Sequence, residues 1–358
     1  MESYEYKDQM TPKERLAAIR EGKQVDRLPF NAFIGEHAAW IQGLSIAEYH
    51  HSPEKMAKAQ INAYKTYHTD GISVGVGLTG ISEALGSKIE YPVDSTPYVA
   101  EHVLKDIKEV DKLKLTDIKK DGRLQIILDT VKILVDEVGD EVPITAGVTG
   151  AFSNAANTRG TESFLRDIMY DPENAHKLLR HVNKCTIEFV KEVSKLGVSI
   201  SIGDPSASGS LIGPKLFKEF AYPYLKELSD TIKEYGAPAP QLHICGNTKK
   251  IWGQMADTGV GGLSLDDVID LEDAKREVGD RILLIGNVSP TKTMYLGTPS
   301  DVEENVKDNL RKAYDSKKGY VISLGCGLPI RTKPSNVHAF VKAARKYGRY
   351  PLKLENFL

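Results

Sequence analysis

Apolar and polar positions along the chain follow two rhythms: short apolar runs of strand length, and longer amphipathic stretches with Glu and Lys on the polar face. The short runs predict strands over residues 30–34, 72–76, 143–148, 198–203, 240–245, 262–266, 282–288 and 320–325. Between them the helical period predicts helices over 123–138, 172–196, 214–235 and 299–316. A first helix starts at Thr11-Pro12-Lys13-Glu14, where Thr11 caps, Pro12 suits the first turn and Glu14 completes a capping box; it should end near Gly22. Ser52-Pro53 opens a second helix running towards His68. Eight strands alternating with helices predict an α/β protein, a single (β/α)8 TIM barrel over residues 1–358 in which 1–27 form an N-terminal helical extension. One stretch departs from the rhythm: residues 88–93 and 98–103 alternate around Asp94-Ser95-Thr96-Pro97, predicting a hairpin inserted near 87–103, after the second strand.

Composition narrows the partners. At 358 residues and 41% hydrophobic content, the chain is large enough to bury a full barrel core. A formal charge of −2 with no Lys/Arg-rich run gives no basis for nucleic-acid binding. Three cysteines, Cys185, Cys245 and Cys326, make no disulfide framework and point to reduced thiols in the cytoplasm. The polar, acidic start Met1-Glu2-Ser3-Tyr4-Glu5-Tyr6 is unlike a secretory signal, and no apolar run is long enough to span a bilayer, so no membrane association is expected.

The candidate chemistry lies in Gln241-Leu242-His243-Ile244-Cys245-Gly246 and Ser323-Leu324-Gly325-Cys326-Gly327, about eighty residues apart. In a barrel of this type the active site forms at the C-terminal ends of the strands. His243 and Cys245 close the fifth predicted strand, Asp266 the sixth, Asn287 lies near the end of the seventh, and Cys326 follows the eighth. Alternate strand positions point to one side, so His243 and Cys245 can reach one ion together. Zinc takes N and S ligands, and three protein ligands leave a position open for chemistry. A lone His-x-Cys on an apolar strand is more often core packing, and a Cys between glycines is usually a turn; the combination carries the metal reading.

Within the eight-strand pattern, Leu242-His243-Ile244-Cys245-Gly246-Asn247-Thr248, Gly262-Leu263-Ser264-Leu265-Asp266, Ile285-Gly286-Asn287-Val288 and Gly325-Cys326-Gly327-Leu328-Pro329 resemble the methylcobamide:coenzyme M methyltransferases of the uroporphyrinogen decarboxylase superfamily. The opening Thr11-Pro12-Lys13-Glu14-Arg15-Leu16, Asp26-Arg27-Leu28-Pro29 and Gly203-Asp204-Pro205-Ser206-Ala207-Ser208 look like that family too, so the resemblance covers nearly the whole chain. It implies a uroporphyrinogen-decarboxylase-type barrel with Zn2+ on His243, Cys245 and Cys326, and Asp266 as a candidate fourth ligand that an incoming thiol displaces. Its implied activity is methyl transfer between a methylcobamide, carried by a separate corrinoid protein, and a small thiol such as coenzyme M. Related alternatives are another donor or acceptor, such as homocysteine or the demethylase direction, and a uroporphyrinogen decarboxylase. Against the decarboxylase, the first-strand region Phe33-Ile34-Gly35-Glu36-His37 carries no arginine, and Gly77 stands where that family places an aspartate.

Zinc would act on the thiol. A free thiol with pKa of about 8.5 is a few per cent ionised near neutrality, and coordination can deprotonate it outright, a gain of about thirtyfold or about 2 kcal/mol. Nucleophilicity falls with thiol pKa, with a Brønsted coefficient of about 0.4–0.5, so orienting the sulfur must contribute as well. Asp204, Asn247 and Asn287 are candidates to bind the cofactor or acceptor or to support a ligand, although strand-end Asp and Asn more commonly cap helices. Glu36 and His37 are candidates for the mouth, Cys185 reads as a core residue, and His50 and His51 read as a surface turn.

Overall fold

In the computed structural model, which describes residues 7–21 and 23–358, the predicted alternation becomes ten strands. They are β1 Phe30–Asn31, β2 Ile72–Gly75, β3 Lys88–Glu90, β4 Tyr98–Glu101, β5 Ile144–Thr149, β6 Ser199–Gly203, β7 Gln241–His243, β8 Gly262–Ser264, β9 Leu283–Val288 and β10 Tyr320–Leu324. Eight form one parallel sheet in the order β1-β10-β9-β8-β7-β6-β5-β2. Pairing of β1 with β10 brings the first and last strands together, giving the curled (β/α)8 barrel expected from the sequence. β3 and β4 pair antiparallel outside it as the expected hairpin.

Local chemistry explains the element ends. The helix Pro12–Arg20 carries the full capping box of Thr11 and Glu14. Its expected end near Gly22 falls outside the described residues. β1 is shorter than expected because the Asn31 side chain accepts a bond from the Phe33 amide at 3.0 Å and Phe33 takes a φ of 42°, which turns the chain out of the ladder. The helix expected over 214–235 is broken into Gly213–Leu216, a π turn Phe217–Ala221, and Tyr222–Glu234. Pro223 accounts for the break: it lacks an amide hydrogen and its ring would collide with the carbonyl one turn earlier, so the backbone widens there. Ala151–Arg159 and Thr161–Tyr170 are further helices beyond those expected from the helical period. The first is small and buried on nearly every side, which leaves no polar stripe to reveal its period.

Burial alternates along the barrel strands. Ala146, Ile200 and Leu242 are buried away from the barrel interior, whereas Ser73, Gly75, Gly147, Ser201, Gly203, Gln241 and His243 border a cavity of about 370 Å3 there, with Val74 and Ile202 also on its wall. The cavity exists because most of these inward positions are Gly or Ser. At Gly75 a side chain is barred outright: a Cβ there would lie 2.3 Å from the Gly147 carbonyl oxygen on the next strand.

The opposite, N-terminal end of the barrel is closed by buried charge. Arg15 bonds Asp26 at 2.7 Å and Asp70 at 2.8 Å, while Arg27 bonds Asp8 at 2.7 Å and Asp70 at 2.5 Å. Asp70 also accepts the Phe30 amide at 3.0 Å, tying the segment before β2 to the start of β1. No helix among the described residues is long and apolar enough to cross a membrane.

Candidate metal centre

His243 is the last residue of β7, in register with Gly203 on β6 and Ser264 on β8. Its Nδ1 lies 3.1 Å from both the carbonyl and the hydroxyl of Ser264. The carbonyl can only accept, so Nδ1 carries the hydrogen and Nε2 keeps its lone pair, pointed at Cys245 Sγ 3.3 Å away. Cys245 lies two residues beyond His243, and Cys326 two residues beyond the end of β10. The ligand atoms of His243, Cys245 and Cys326 all lie within 4.8 Å of one another, although the residues come from the two ends of an eighty-residue stretch.

The electrostatics describe a crowded donor set. Sharing between the thiols, then burial, pushes Cys245 up, and the bonds from Cys245 and His243 to Cys326 hold that thiol down against burial. Burial opposes protonation of His243, but the bond and charge of Cys326 overcome it and raise the imidazole. Two thiols and an imidazole competing for protons at this spacing are the donor set that zinc binds, each ligand being required in its deprotonated form. The residues fit the ion.

Asp266 follows β8 in a loop rather than ending the strand. Its carboxylate accepts the Gly246 amide at 2.7 Å and the Val268 amide at 3.1 Å. Gly246 takes a φ of 77°, which turns that amide from the end of the Cys245 segment towards Asp266. Asp266 therefore stands beside the cluster, and its charge reaches both His243 and Cys245. Asn287 donates to the carbonyls of Asp266 at 2.9 Å and Ile269 at 2.7 Å, and so fixes the loop that presents Asp266.

The other sequence candidates have different positions. Asp204 is fully buried, and one carboxylate oxygen accepts from the Ser153 amide at 2.8 Å and hydroxyl at 2.6 Å. It caps the helix starting at Ala151, whose own cap position is Gly150; a Cβ on Gly150 would meet the Asp204 carboxylate at 2.2 Å. Burial pushes the Asp204 carboxyl up to about 6 against those bonds. Asn247 is exposed and accepts the Lys249 amide at 3.1 Å, a local turn. Glu36 borders the cavity as expected. His37 does not: it is fully buried, with Nδ1 2.9 Å from the Ile330 carbonyl and Nε2 2.8 Å from the Tyr67 hydroxyl, so it holds the loop after Cys326. The surface turn expected at His50 and His51 is instead the end of a helix, Ile46–His51, and His50 is buried between Glu36 and Arg123. Arg123 is 73 residues from His50 in sequence, which is why local patterning missed the pair. Cys185 is a buried core residue, as read.

With this geometry in hand, residues 11–347 match the uroporphyrinogen decarboxylase (URO-D) family. The chain belongs to that family. It is 31% identical to the methylcobamide:CoM methyltransferase MtbA of Methanosarcina acetivorans, over 94% of this chain and 98% of that protein. It is 28% identical to the methylcobamide:CoM methyltransferase MtaA of Methanosarcina barkeri, over 95% and 99% of the two chains. A uroporphyrinogen decarboxylase of Chlorobaculum tepidum is 26% identical over 82% of this chain and 85% of that one. Among solved structures, a methyltransferase from Methanosarcina mazei superposes with a TM-score of 0.85 at 27% identity, covering 94% of this chain and 98% of that one.

Proposed function

We propose that this URO-D family chain is a cytoplasmic corrinoid-dependent methyltransferase that moves a methyl group between a methylcobamide, held by a separate protein, and a small thiol. The convergence of His243, Cys245 and Cys326 donor atoms within 4.8 Å, where His243 also borders the barrel cavity, is the observation that carries this reading. The names of the methylcobamide:CoM methyltransferase relatives support the reaction class. Zn2+ bound by these three residues supplies a Lewis acid that holds a thiol as its thiolate at neutral pH.

The chain's own groups do the positioning. Ser264 fixes the His243 tautomer, so that Nε2 is the donor. Asp266, held by Gly246 and by the loop that Asn287 secures, would offer a fourth donor beside these three, in a position that a thiol could take instead. The cavity would give the thiol's tail a place inside the barrel, with its sulfur at the metal held at the rim. Loops beyond the strand ends and the hairpin expose Leu78, Val93, Leu211, Val268 and Leu296, apolar surface suited to a docking corrinoid protein. No Arg or Lys occurs among the described residues that line the cavity, which argues against a porphyrinogen polycarboxylate as substrate.

The test is to measure bound zinc in the purified protein and follow loss of methylcobalamin absorption with a panel of thiols, in wild type and Cys245→Ser. The variant should lose most of its zinc and its thiol-dependent demethylation together. Full zinc and full activity in Cys245→Ser would overturn the assignment.

A further inference from the structure

The charge inside the cavity bears on what tail a thiol can carry. Among the described lining residues the fixed charge is a single carboxylate, Glu36, set among Phe33, Tyr49, His50 and Met56. Glu36 also borders a second cavity of about 460 Å3 lined by Cys326, Gly327 and Arg331, so it faces both spaces that reach the donor cluster. Arg331 in that second space lies at the surface, where it pairs with Asp94 at 2.9 Å.

Glu36 is held in place by a chain of buried partners. Arg123 Nη1 donates to His50 Nδ1 at 3.0 Å, so the His50 hydrogen is on Nε2, which donates to Glu36 Oε1 at 3.3 Å. Arg123 Nε donates to Glu83 at 2.9 Å, and Glu83 accepts the Tyr91 hydroxyl at 2.7 Å. The guanidinium charge is thus spent on Glu83, leaving the group with one net negative charge on Glu36. Burial pushes the Glu36 carboxyl up, but the hydrogen bond from His50, with the Arg123 charge behind it, holds it below the ordinary carboxylate range, so it stays ionised. Its side chain remains 25% exposed, consistent with its place on the cavity wall.

We propose that Glu36 is a specificity-determining residue whose carboxylate receives the tail of the thiol, so that the site takes thiols with a cationic or uncharged hydrogen-bond-donating tail and rejects anionic ones. This rests on the thiol-methyltransferase reading above and deepens it. A carboxylate in a confined, partly dry space attracts an ammonium, accepts a bond from a hydroxyl, and repels a sulfonate, for which the lining of the barrel cavity offers no Arg or Lys. The chain therefore departs in acceptor preference from relatives named for CoM, whose tail is a sulfonate.

Cysteamine, 2-mercaptoethanol and coenzyme M share a two-carbon thiol and differ in the tail: ammonium, hydroxyl and sulfonate. Calorimetric binding of each to the purified zinc-containing protein should give cysteamine at least about tenfold tighter than coenzyme M, with 2-mercaptoethanol between. In Glu36→Gln, an isosteric change that still accepts the His50 bond, the ratio should fall to within about threefold. Coenzyme M binding as tightly as cysteamine to wild type overturns the proposal without any variant, as does failure of all three to bind. An unchanged ratio in a folded Glu36→Gln removes Glu36 from the role. Methyl transfer, assayed in parallel, separates the two readings: the expected binding order without transfer refutes the methyltransferase reading alone, and transfer with coenzyme M preferred refutes the Glu36 proposal alone.

Discussion

Replacing Asp70 by alanine should be among the most damaging single changes far from the candidate metal centre. Four hydrogen bonds converge on that carboxylate: one from Arg15, two from Arg27 and one from the Phe30 amide. Both guanidiniums are almost inaccessible, at 0% and 1% side-chain exposure. Removing one partner of a buried ion pair typically costs about 3–5 kcal/mol, and stranding a buried amide adds about 1–3 kcal/mol. Arg15 keeps Asp26 and Arg27 keeps Asp8, so the loss should fall at the lower end of the combined range, about 4 kcal/mol. At about 2.1 cal/mol/K per residue, 358 residues give an unfolding entropy of about 0.75 kcal/mol/K, and Tm should drop by about 5 °C. Equilibrium urea denaturation is the primary assay, since large barrels often unfold irreversibly on heating. Asp70→Asn, which can still accept the Phe30 amide, should lose less. A loss below about 1 kcal/mol in Asp70→Ala would refute the idea that buried, mutually dependent charges close this end of the barrel.

Two further outcomes are expected. The Asp204 carboxyl, pushed up to about 6 by burial, is raised above its unfolded value of about 3.9, so its contribution is full below about pH 4 and is lost as pH rises through about 6. Urea midpoints of Asp204→Asn should show a smaller decline between pH 4 and pH 7 than wild type, and an identical decline would rule out this group as its source. In Gly325→Ala the new Cβ would lie 2.5 Å from the Asp267 amide nitrogen, forcing apart the two loops that carry Cys326 and Asp266. Metal analysis should find less bound zinc in that variant even where far-ultraviolet dichroism is unchanged; wild-type zinc content would show that the loops tolerate the shift.

Much of the fold was legible because a parallel barrel repeats one signal. Each strand is a short apolar run and each long helix has a polar face, so all eight strands could be placed from local pattern alone. What local pattern could not supply was anything decided across the barrel. His50 looked like a surface residue because its partners, Glu36 and Arg123, are distant in sequence. His37 looked like a mouth residue because it follows the first strand, yet a bond to Ile330, 293 residues away, holds it inside. The donor triad itself could be read because His243 and Cys245 are two positions apart, and because the ends of a counted set of strands can be assigned to one face. Asp204 showed the limit of that reasoning, since a strand-end carboxylate can serve the helix next door instead of the site.

The small inward residues of the barrel have a consequence for how substrate range could change. On the β2 side the wall is immovable: a side chain at Gly75 would strike the backbone of Gly147. At Gly203, on β6, a Cβ would meet nothing within 4 Å. The cavity thus has one wall set by the main chain and another that can grow inward by ordinary substitution, with His243 on the next strand. Single changes at Gly203 could narrow the space for a substrate while leaving the sheet undisturbed, a route by which one scaffold could come to serve acceptors of different bulk.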